Sequence, residues 1–175
     1  AIESLKQNQA DAIVSAGNTG ALFLISKLNL QMIDNIDKPA LSALWPSKKG
    51  MNIVLDLGAN TKLNSRYLID NAILGSSLAS ILFKIEKPSI GILNVGSEDI
   101  KGNDEIRNAA KRLKFLSEID LLNYQGYIEG NDISLGKTNV VVTDGFTGNI
   151  ALKTAEGTAN FISSEFCLLY TSDAA

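Results

Sequence analysis

The chain has 175 residues, of which 45% are hydrophobic and 20% charged, and its formal net charge is −3; this is the composition of a globular domain with a core, without the basic surplus typical of nucleic-acid-binding proteins. The sequence has no histidine and one cysteine, Cys167, so Ser-His-Asp or Cys-His catalysis, a zinc site of His and Cys, and an internal disulfide are excluded. No apolar run approaches the roughly 18 residues of a membrane-spanning helix and no signal peptide opens the sequence, which predicts a cytoplasmic protein.

A recurring pattern organises the sequence: a short apolar or β-branched run ends in a polar turn that contains glycine. The runs are, in chain order, residues 12–15, 51–55, 89–95, 124–128 and 140–143. Apolar residues at helical spacing follow most of the turns. The helices predicted in this way include residues 21–28, 68–82 and 106–116. Strands that alternate with helices and are apolar throughout indicate βαβ units in a mostly parallel sheet, covered on both faces.

The segment NIDKPALSALWPSKKG departs from this alternation. Pro39 and Pro46 bias the residues before them toward extended conformations. Residues 40–44 are therefore predicted to form a short strand, and residues 47–50 to turn back into the strand that begins at Met51. That pair would be antiparallel, which makes the predicted sheet mixed.

The turns have the composition of an anion site at the carboxyl ends of the strands. Glycine lets the backbone approach a ligand, and the unpaired amides of a following helix attract negative charge. GNTGAL at residues 17–22 and GFTGNIAL at residues 145–152 both place Thr-Gly at a helix entrance. For any single turn, a plain strand-to-helix connection is the alternative. Neither the P-loop pattern nor G-x-G-x-x-G occurs, so those nucleotide folds are not supported.

Several charged residues accompany these turns. Lys101 lies in the K-G-N part of the third turn and is the most suggestive phosphate ligand. Asp56 and Asp144 close their strands, and each either orients a lysine or hydroxyl or caps a helix. Three further basic residues are predicted to lie on solvated helix faces: Lys62, Arg66 and Lys153.

Five ordered motifs resemble one known family. They are DAIVSAGNTGAL, VLDLGANT, GILNVGSEDIKGN, YIEGNDI and VVVTDGFTGNIALKTAEG, and they span roughly residues 10–163. In this order and spacing they resemble the bacterial phosphate acyltransferases of phospholipid synthesis. Because five motifs carry the resemblance, it is far more specific than any one glycine turn.

The resemblance implies a three-layer α/β/α fold akin to phosphotransacetylases and isopropylmalate-type dehydrogenases. It implies an enzyme that makes acyl phosphate from acyl-acyl carrier protein and inorganic phosphate, without metal or organic cofactor. Members are homodimers that associate peripherally with the membrane and pass acyl phosphate to a membrane-bound glycerol-phosphate acyltransferase. Phosphate is itself the nucleophile in this reaction, which fits a chain without histidine.

Carried onto this sequence, the resemblance implies two catalytic residues. Lys101 would balance phosphate or oxyanion charge, and Asn149, the last residue of D-G-F-T-G-N, would donate a hydrogen bond at the thioester carbonyl. The surrounding substrate and phosphate pocket would comprise Asn18, Thr19, Gly20, Asn60, Asn103, Asp144, Gly145, Thr147 and Gly148.

The chain also departs from the family. The amino-terminal strand with its D-x-M-G-G-D-type motif and the helices that follow E-G are missing, and the second turn reads ANTKLNS where a proline-containing segment is typical. We therefore expect a fragment: an α/β domain over residues 1–164, and a non-native or disordered tail over residues 165–175, with a native frayed terminus as the alternative. Two other functions stay open, namely a phosphotransacetylase-like enzyme acting on coenzyme A thioesters and a non-catalytic phosphate-binding fragment.

Overall fold

The computed structural model describes the backbone of residues 1–172 and the side chains of residues 1–167. Within that range, helices and strands alternate along most of the chain. The strands are β1 (Ser42–Ser47), β2 (Gly50–Leu55), β3 (Ser89–Leu93), β4 (Asn123–Ile128) and β5 (Val140–Val142). The helices are α1 (Ile2–Lys6), α2 (Thr19–Asn29), α3 (Ser65–Phe83), α4 (Asp104–Glu118), α5 (Gly130–Leu135) and α6 (Gly145–Ser172).

The strands form one mixed sheet in the order β1-β2-β5-β3-β4. β2, β5, β3 and β4 run parallel to one another, whereas β1 pairs with β2 in the antiparallel sense. The carboxyl ends of the four parallel strands therefore lie at the same edge of the sheet, together with the turns that follow them. The mostly parallel, mixed sheet predicted from the sequence is confirmed.

Apolar layers cover both faces of the sheet. On one face, α3 and α4 pack residues such as Leu68 and Leu113 against the strands. On the other face, Ile133 of α5 and Leu152 of α6 pack around Val141. The three valines of β5 are fully buried between these layers, as expected for a central parallel strand. The chain therefore has the three-layer α/β/α fold.

The predicted strand at residues 12–15 is wrong, because these residues form an irregular segment. Val14 is 100% exposed, and helix α2 buries none of its residues despite its predicted apolar face. A four-residue apolar run becomes a strand only where a neighbouring strand pairs with its backbone, and short runs alone do not reveal that neighbour. Here the run lines a shallow pocket with α1 and α2 instead.

The proline-bounded segment forms the predicted antiparallel pair, but with different boundaries. β1 begins at Ser42 and continues through Pro46 to Ser47, so the turn into β2 is shorter than predicted. Pro46 fits within the strand because β1 is the outer strand of the sheet and one of its sides needs no backbone donor.

Helix α6 continues past the end of the predicted domain. It runs from Gly145 to Ser172 and so includes much of the segment predicted to be a non-native or disordered tail. Residues 173–175 lie outside the described residues, and the origin of the tail stays a prediction. Within residues 1–172, no helix combines the length and apolarity needed to cross a bilayer.

Candidate active site

The turns after β2 and β5 are in direct contact at the carboxyl edge of the sheet, because these strands are neighbours. The amide of Gly145 donates to the carbonyl oxygen of Asn60 at 2.9 Å. A Cβ atom on Gly148 would lie 1.9 Å from the carbonyl oxygen of Asp56. The first turn of α6 reaches this position only because residue 148 has no side chain.

Asp56 holds the turn after β2 together from the inside. Its side chain is 0% exposed. Its carboxylate accepts hydrogen bonds from the amides of Gly58 at 3.1 Å, Ala59 at 2.9 Å and Asn60 at 2.8 Å. It also accepts one from the amide of Leu41 at 3.1 Å. Backbone donors therefore occupy this carboxylate, which makes Asp56 an anchor of the turn rather than a partner of a lysine.

The hydroxyl of Tyr67, which the sequence reasoning missed, completes this cluster. It donates to Oδ2 of Asp56 at 2.5 Å and accepts a hydrogen bond from Nδ2 of Asn60 at 2.7 Å. The same Asn60 nitrogen donates to the carbonyl oxygen of Pro39 at 2.8 Å. Burial, followed by the hydrogen bond to Asp56, raises the pKa of Tyr67 well above its usual range. Tyr67 is therefore a neutral donor in the folded protein.

Asp144 organises the turn after β5. Its Oδ1 accepts hydrogen bonds from the amides of Phe146 at 2.9 Å and Thr147 at 3.0 Å. Its Oδ2 accepts a hydrogen bond from the Thr147 hydroxyl at 2.7 Å. These contacts satisfy amides in the first turn of α6, which otherwise lack intrahelical partners. Asp144 thus caps the helix and also orients a hydroxyl.

A groove of about 520 Å³ lies between these two turns and α2, and we call it the Asn149 groove. The Asn149 side chain lies beside Gly58, 3.6 Å from the position of a Cβ atom on that glycine. Its amide has no hydrogen bond within the described part of the chain. Thr19 and Gly20 border the groove, and its apolar lining includes Phe23, Leu57 and Leu152. The groove thus combines a free amide with apolar walls.

Lys101 lies in the turn after β3, which we call the Lys101 turn. Lys101 is exposed, and among residues 1–167 its ammonium has no hydrogen bond or ion pair. The stem of its side chain passes Gly96, where an added Cβ would lie 3.2 Å from Cγ of Lys101. Asn103 caps α4 by accepting a hydrogen bond from the amide of Ile106 at 3.0 Å. Lys101 therefore offers a free positive charge close to a helix amino terminus.

Two further residues, also missed by the sequence reasoning, hold the Lys101 turn in place. Arg107 donates to the carbonyl oxygen of Gly102. The buried side chain of Asn94 lies beneath Gly102, and its Nδ2 donates to a backbone carbonyl of the turn at 3.2 Å. Asn94 follows the last residue of β3 as Asp56 follows that of β2, so its position could have identified it. Nothing in the sequence distinguishes Arg107 from other helix-surface residues.

Ten of the eleven predicted site residues fall into two groups that no described contact joins. The first group borders the Asn149 groove or builds the two turns beside it: Thr19, Gly20, Asn60, Asp144, Gly145, Thr147, Gly148 and Asn149. The second group, Lys101 and Asn103, belongs to the turn after β3, the strand next to β5. Asn18 caps α2 by accepting a hydrogen bond from the amide of Ala21 at 3.0 Å.

The three basic residues predicted to lie on solvated faces are exposed. Lys153 pairs with Glu156 at 2.7 Å, and Arg66 pairs with the buried Asp70 at 2.8 Å. Burial raises the pKa of Asp70, and the neighbouring Arg66 opposes that shift. Those two contacts are structural. Lys62 lies before α3 rather than on the predicted helix face, and in the described part of the chain neither Lys62 nor Lys101 has an ion pair.

Comparison with known proteins decides the family. The model of a family described as "Fatty acid synthesis protein" matches residues 1–167. The chain belongs to this family. A phosphate acyltransferase of Pelagibacter ubique is 58% identical over 165 residues, which are 94% of this chain and 49% of that protein. One from Brucella canis is 52% identical over 159 residues, 91% of this chain and 46% of that protein.

The chain thus spans about half the length of these relatives, and the family resemblance drawn from its five motifs is confirmed.

Solved structures agree on the fold. A phosphotransacetylase of Staphylococcus aureus superposes with a TM-score of 0.65 at 18% identity, over 91% of this chain and 54% of that one. One from Streptococcus pyogenes superposes with a TM-score of 0.68 at 18% identity, over 90% and 54%.

Proposed function

We propose that the complete protein containing this chain is a phosphate acyltransferase. It converts acyl-acyl carrier protein and inorganic phosphate to acyl phosphate and free carrier protein, for phospholipid synthesis. Family membership and the names of the relatives support the reaction class. Within the structure, the observation that carries the proposal is the Asn149 groove, with its free amide at the edge where open α/β sheets bind their ligands.

The proposed reaction needs no side-chain nucleophile. A phosphate oxygen attacks the thioester carbonyl carbon, the new C–O bond replaces the C–S bond, and the carrier sulfur leaves with the electron pair as a thiolate, which then takes up a proton. The negative charge that develops on the carbonyl oxygen needs a hydrogen-bond donor already in place. Asn149 supplies that donor in our proposal, and the apolar wall of its groove receives the start of the acyl chain.

Lys101 is proposed to balance the charge of the phosphate. The asparagines at positions 18, 60 and 103 already hold caps or turns together, whereas the polar groups of Lys101 and Asn149 are free for a ligand. In this proposal the substrate extends from the Asn149 groove to the Lys101 turn, across the ends of the neighbouring strands β5 and β3. Most of the remaining predicted pocket residues border the groove or build the turns after β2 and β5.

Phosphate-dependent release of carrier thiol by the full-length protein tests this function. We expect Asn149→Ala and Lys101→Ala to lower kcat about 100-fold or more, the usual loss when a stabilising donor is removed. Matched controls are the exposed residues Asn108 and Lys48, whose replacement by alanine should leave turnover within twofold. Unchanged turnover in both site variants would contradict the site, whereas absence of phosphate-dependent turnover in the unmodified protein would contradict the function.

A phosphotransacetylase-like activity on coenzyme A thioesters is the second candidate, since the fold matches enzymes of that name. The two functions differ in the group that carries the acyl chain. We expect a long-chain acyl-carrier protein to react with a higher kcat/KM than acetyl-coenzyme A does. The opposite order would favour the second candidate.

The proposal extends to assembly and location. We propose that the complete protein is a cytoplasmic homodimer that associates peripherally with the inner face of the membrane and supplies a membrane-bound glycerol-phosphate acyltransferase. Large apolar side chains on α6 support an interaction surface, because Phe161 and Ile162 are exposed. Sedimentation of the full-length protein should give a dimer, which Phe161→Asp with Ile162→Asp should weaken.

A further inference from the structure

A second groove lies away from the Asn149 groove, between α4 and the outer strand β4. We call it the α4–β4 groove, and its volume is about 390 Å³. Its lining includes Arg107, Lys111 and Lys114 from α4 and Tyr124 and Tyr127 from β4.

Two lysines make the α4 side of this groove positively charged, whereas the nearby Arg107 pairs with Asp104. Arg107, Lys111 and Lys114 are spaced by four and three residues, so they share one face of the helix. Lys111 and Lys114 are exposed, and their ammonium groups have no ion pair within the described part of the chain. Asp99 is the one carboxylate among the described lining residues. A local positive surface on a chain of net charge −3 indicates an acidic partner.

The β4 side of the groove is formed by the aromatic side chains of Tyr124 and Tyr127. The Tyr124 hydroxyl is buried and has no hydrogen-bond partner among the described residues. Burial raises the pKa of both Tyr124 and Tyr127, so their hydroxyls stay protonated at neutral pH. Gly126 between them has a φ of 96° and lies where the pairing of β3 with β4 shifts register. The wall therefore presents mainly aromatic surface to a partner.

The groove is continuous with the Lys101 turn. Arg107 lines the groove, and its guanidinium also donates to the carbonyl oxygen of Gly102. Asp99, another lining residue, lies two positions before Lys101. A partner bound along α4 would therefore have its nearest end beside the proposed phosphate ligand.

We propose that the α4–β4 groove is the docking surface for the acidic carrier protein that brings the acyl thioester. The inference rests on the proposed function and names the surface by which that function selects its substrate. Carboxylates on the carrier pair with Lys111 and Lys114, and an apolar side chain of the carrier contacts Tyr124. Docking here places the thioester-bearing arm on the side of the molecule that carries Lys101.

Charge reversal in the full-length enzyme tests this surface. We expect Lys111→Glu with Lys114→Glu to raise KM for the acyl-carrier protein about tenfold, because contacts with an acidic partner become repulsive. The kcat and the KM for phosphate should change less than twofold, and the effect should shrink as salt is added. The matched control is Lys48→Glu with Lys49→Glu, the same charge change in the turn between β1 and β2. It should leave all three constants within twofold.

The outcomes separate the inference from the function on which it rests. Equal KM for the carrier in both double variants overturns the docking surface. If the unmodified enzyme has no carrier-dependent turnover, the proposed function fails, and titration of the carrier protein against the same variants still decides the surface. Unchanged carrier binding together with lost binding to phosphatidylglycerol vesicles would overturn the proposal in favour of a membrane surface. Lys111→Gln with Lys114→Gln, which adds no negative charge, should give a smaller rise in KM in the same direction.

Discussion

Two turns of similar sequence, GNTG at residues 17–20 and GFTG at residues 145–148, have very different surroundings. Both begin a helix. In each, the side-chain oxygen of the residue just before the helix, Asn18 or Asp144, accepts a hydrogen bond from a backbone amide of the first helical turn. The first turn is exposed throughout and follows an irregular segment. In the second, Gly145 and Gly148 are buried against the turn that follows β2.

The difference shows what the local sequence determines in this fold and what it does not. A polar residue, a threonine and a glycine are enough to begin a helix with a cap. They do not determine whether the turn is packed, because packing comes from the strand before the turn and from its neighbours in the sheet. The second turn follows the central strand β5, whereas the first follows the irregular segment at residues 12–15.

The largest expected contrast is between the two glycines that follow threonine. Gly148→Ala should lower the free energy of unfolding by about 3 kcal/mol or more, since the new methyl group would overlap the carbonyl oxygen of Asp56. At Gly20, the nearest atom outside the adjacent residues is Oδ1 of Asn18, 3.3 Å from a new Cβ. Gly20→Ala should therefore change stability by less than about 1 kcal/mol. Urea denaturation of both variants measures this, and equal losses would refute the packing difference.

The next contrast compares one side chain from each region, each of which accepts hydrogen bonds from the nearby backbone. Asp56→Asn should cost about 2 kcal/mol, because an amide nitrogen replaces one of two oxygens that accept buried hydrogen bonds. In the first region, the Ser15 hydroxyl accepts a hydrogen bond from the Gly17 amide at 3.2 Å in an exposed position. Ser15→Ala should cost less than about 0.5 kcal/mol. A loss for Ser15→Ala as large as that for Asp56→Asn would contradict this ordering.

Alkaline pH should destabilise the packed region through Tyr67. The pKa of Tyr67 is raised in the folded protein. The contribution of Tyr67 to the free energy of unfolding is therefore fully present below the pKa of a tyrosine in the unfolded chain, near 10. It is lost as the pH rises above that value toward the folded pKa. Between pH 9 and pH 11, one such tyrosine lowers the free energy of unfolding by about 1 kcal/mol. We expect Tyr67→Phe to reduce the alkaline decline in unfolding free energy by about that amount, and an unchanged decline would exclude this role for Tyr67.

The smallest contrast concerns the two threonines. The Thr147 hydroxyl donates to Asp144 at 2.7 Å, so Thr147→Val should cost about 1 kcal/mol. The Thr19 hydroxyl has no hydrogen bond in the described part of the chain, and Thr19→Val should change stability by less than about 0.5 kcal/mol. Thermal unfolding of both variants resolves this difference, and the reverse order would show that the two turns are supported alike.

Much of the fold followed from the sequence because its central strands contain apolar runs. Residues 53–55 of β2, 90–93 of β3 and 140–142 of β5 are buried as expected, whereas Met51 and Val95 at the margins of the predicted runs are exposed. The run at residues 12–15 also looks apolar, but it pairs with none of the described strands, and a local pattern cannot show that difference.

The site was less predictable because its hydrogen bonds join distant parts of the chain. Asn60 bonds to Pro39, which is 21 positions away, and Asp56 to Tyr67, which is 11 positions away. Only these contacts distinguish an asparagine that holds a turn from one that is free for a ligand. Motif order indicated Lys101 and Asn149, but not that Arg107 and Asn94 would support the Lys101 turn.

Helix α6 connects the Asn149 groove to exposed apolar side chains far along the same helix. At about 1.5 Å per residue, its 28 residues extend about 42 Å. Asn149 lies near its beginning, and the exposed Phe161 and Phe166 lie three to five turns further along the same rod. A partner that tilts or rotates the carboxyl-terminal half of α6 would also move the side-chain amide of Asn149. Contacts made at a distance could in this way adjust the alignment of the reacting groups.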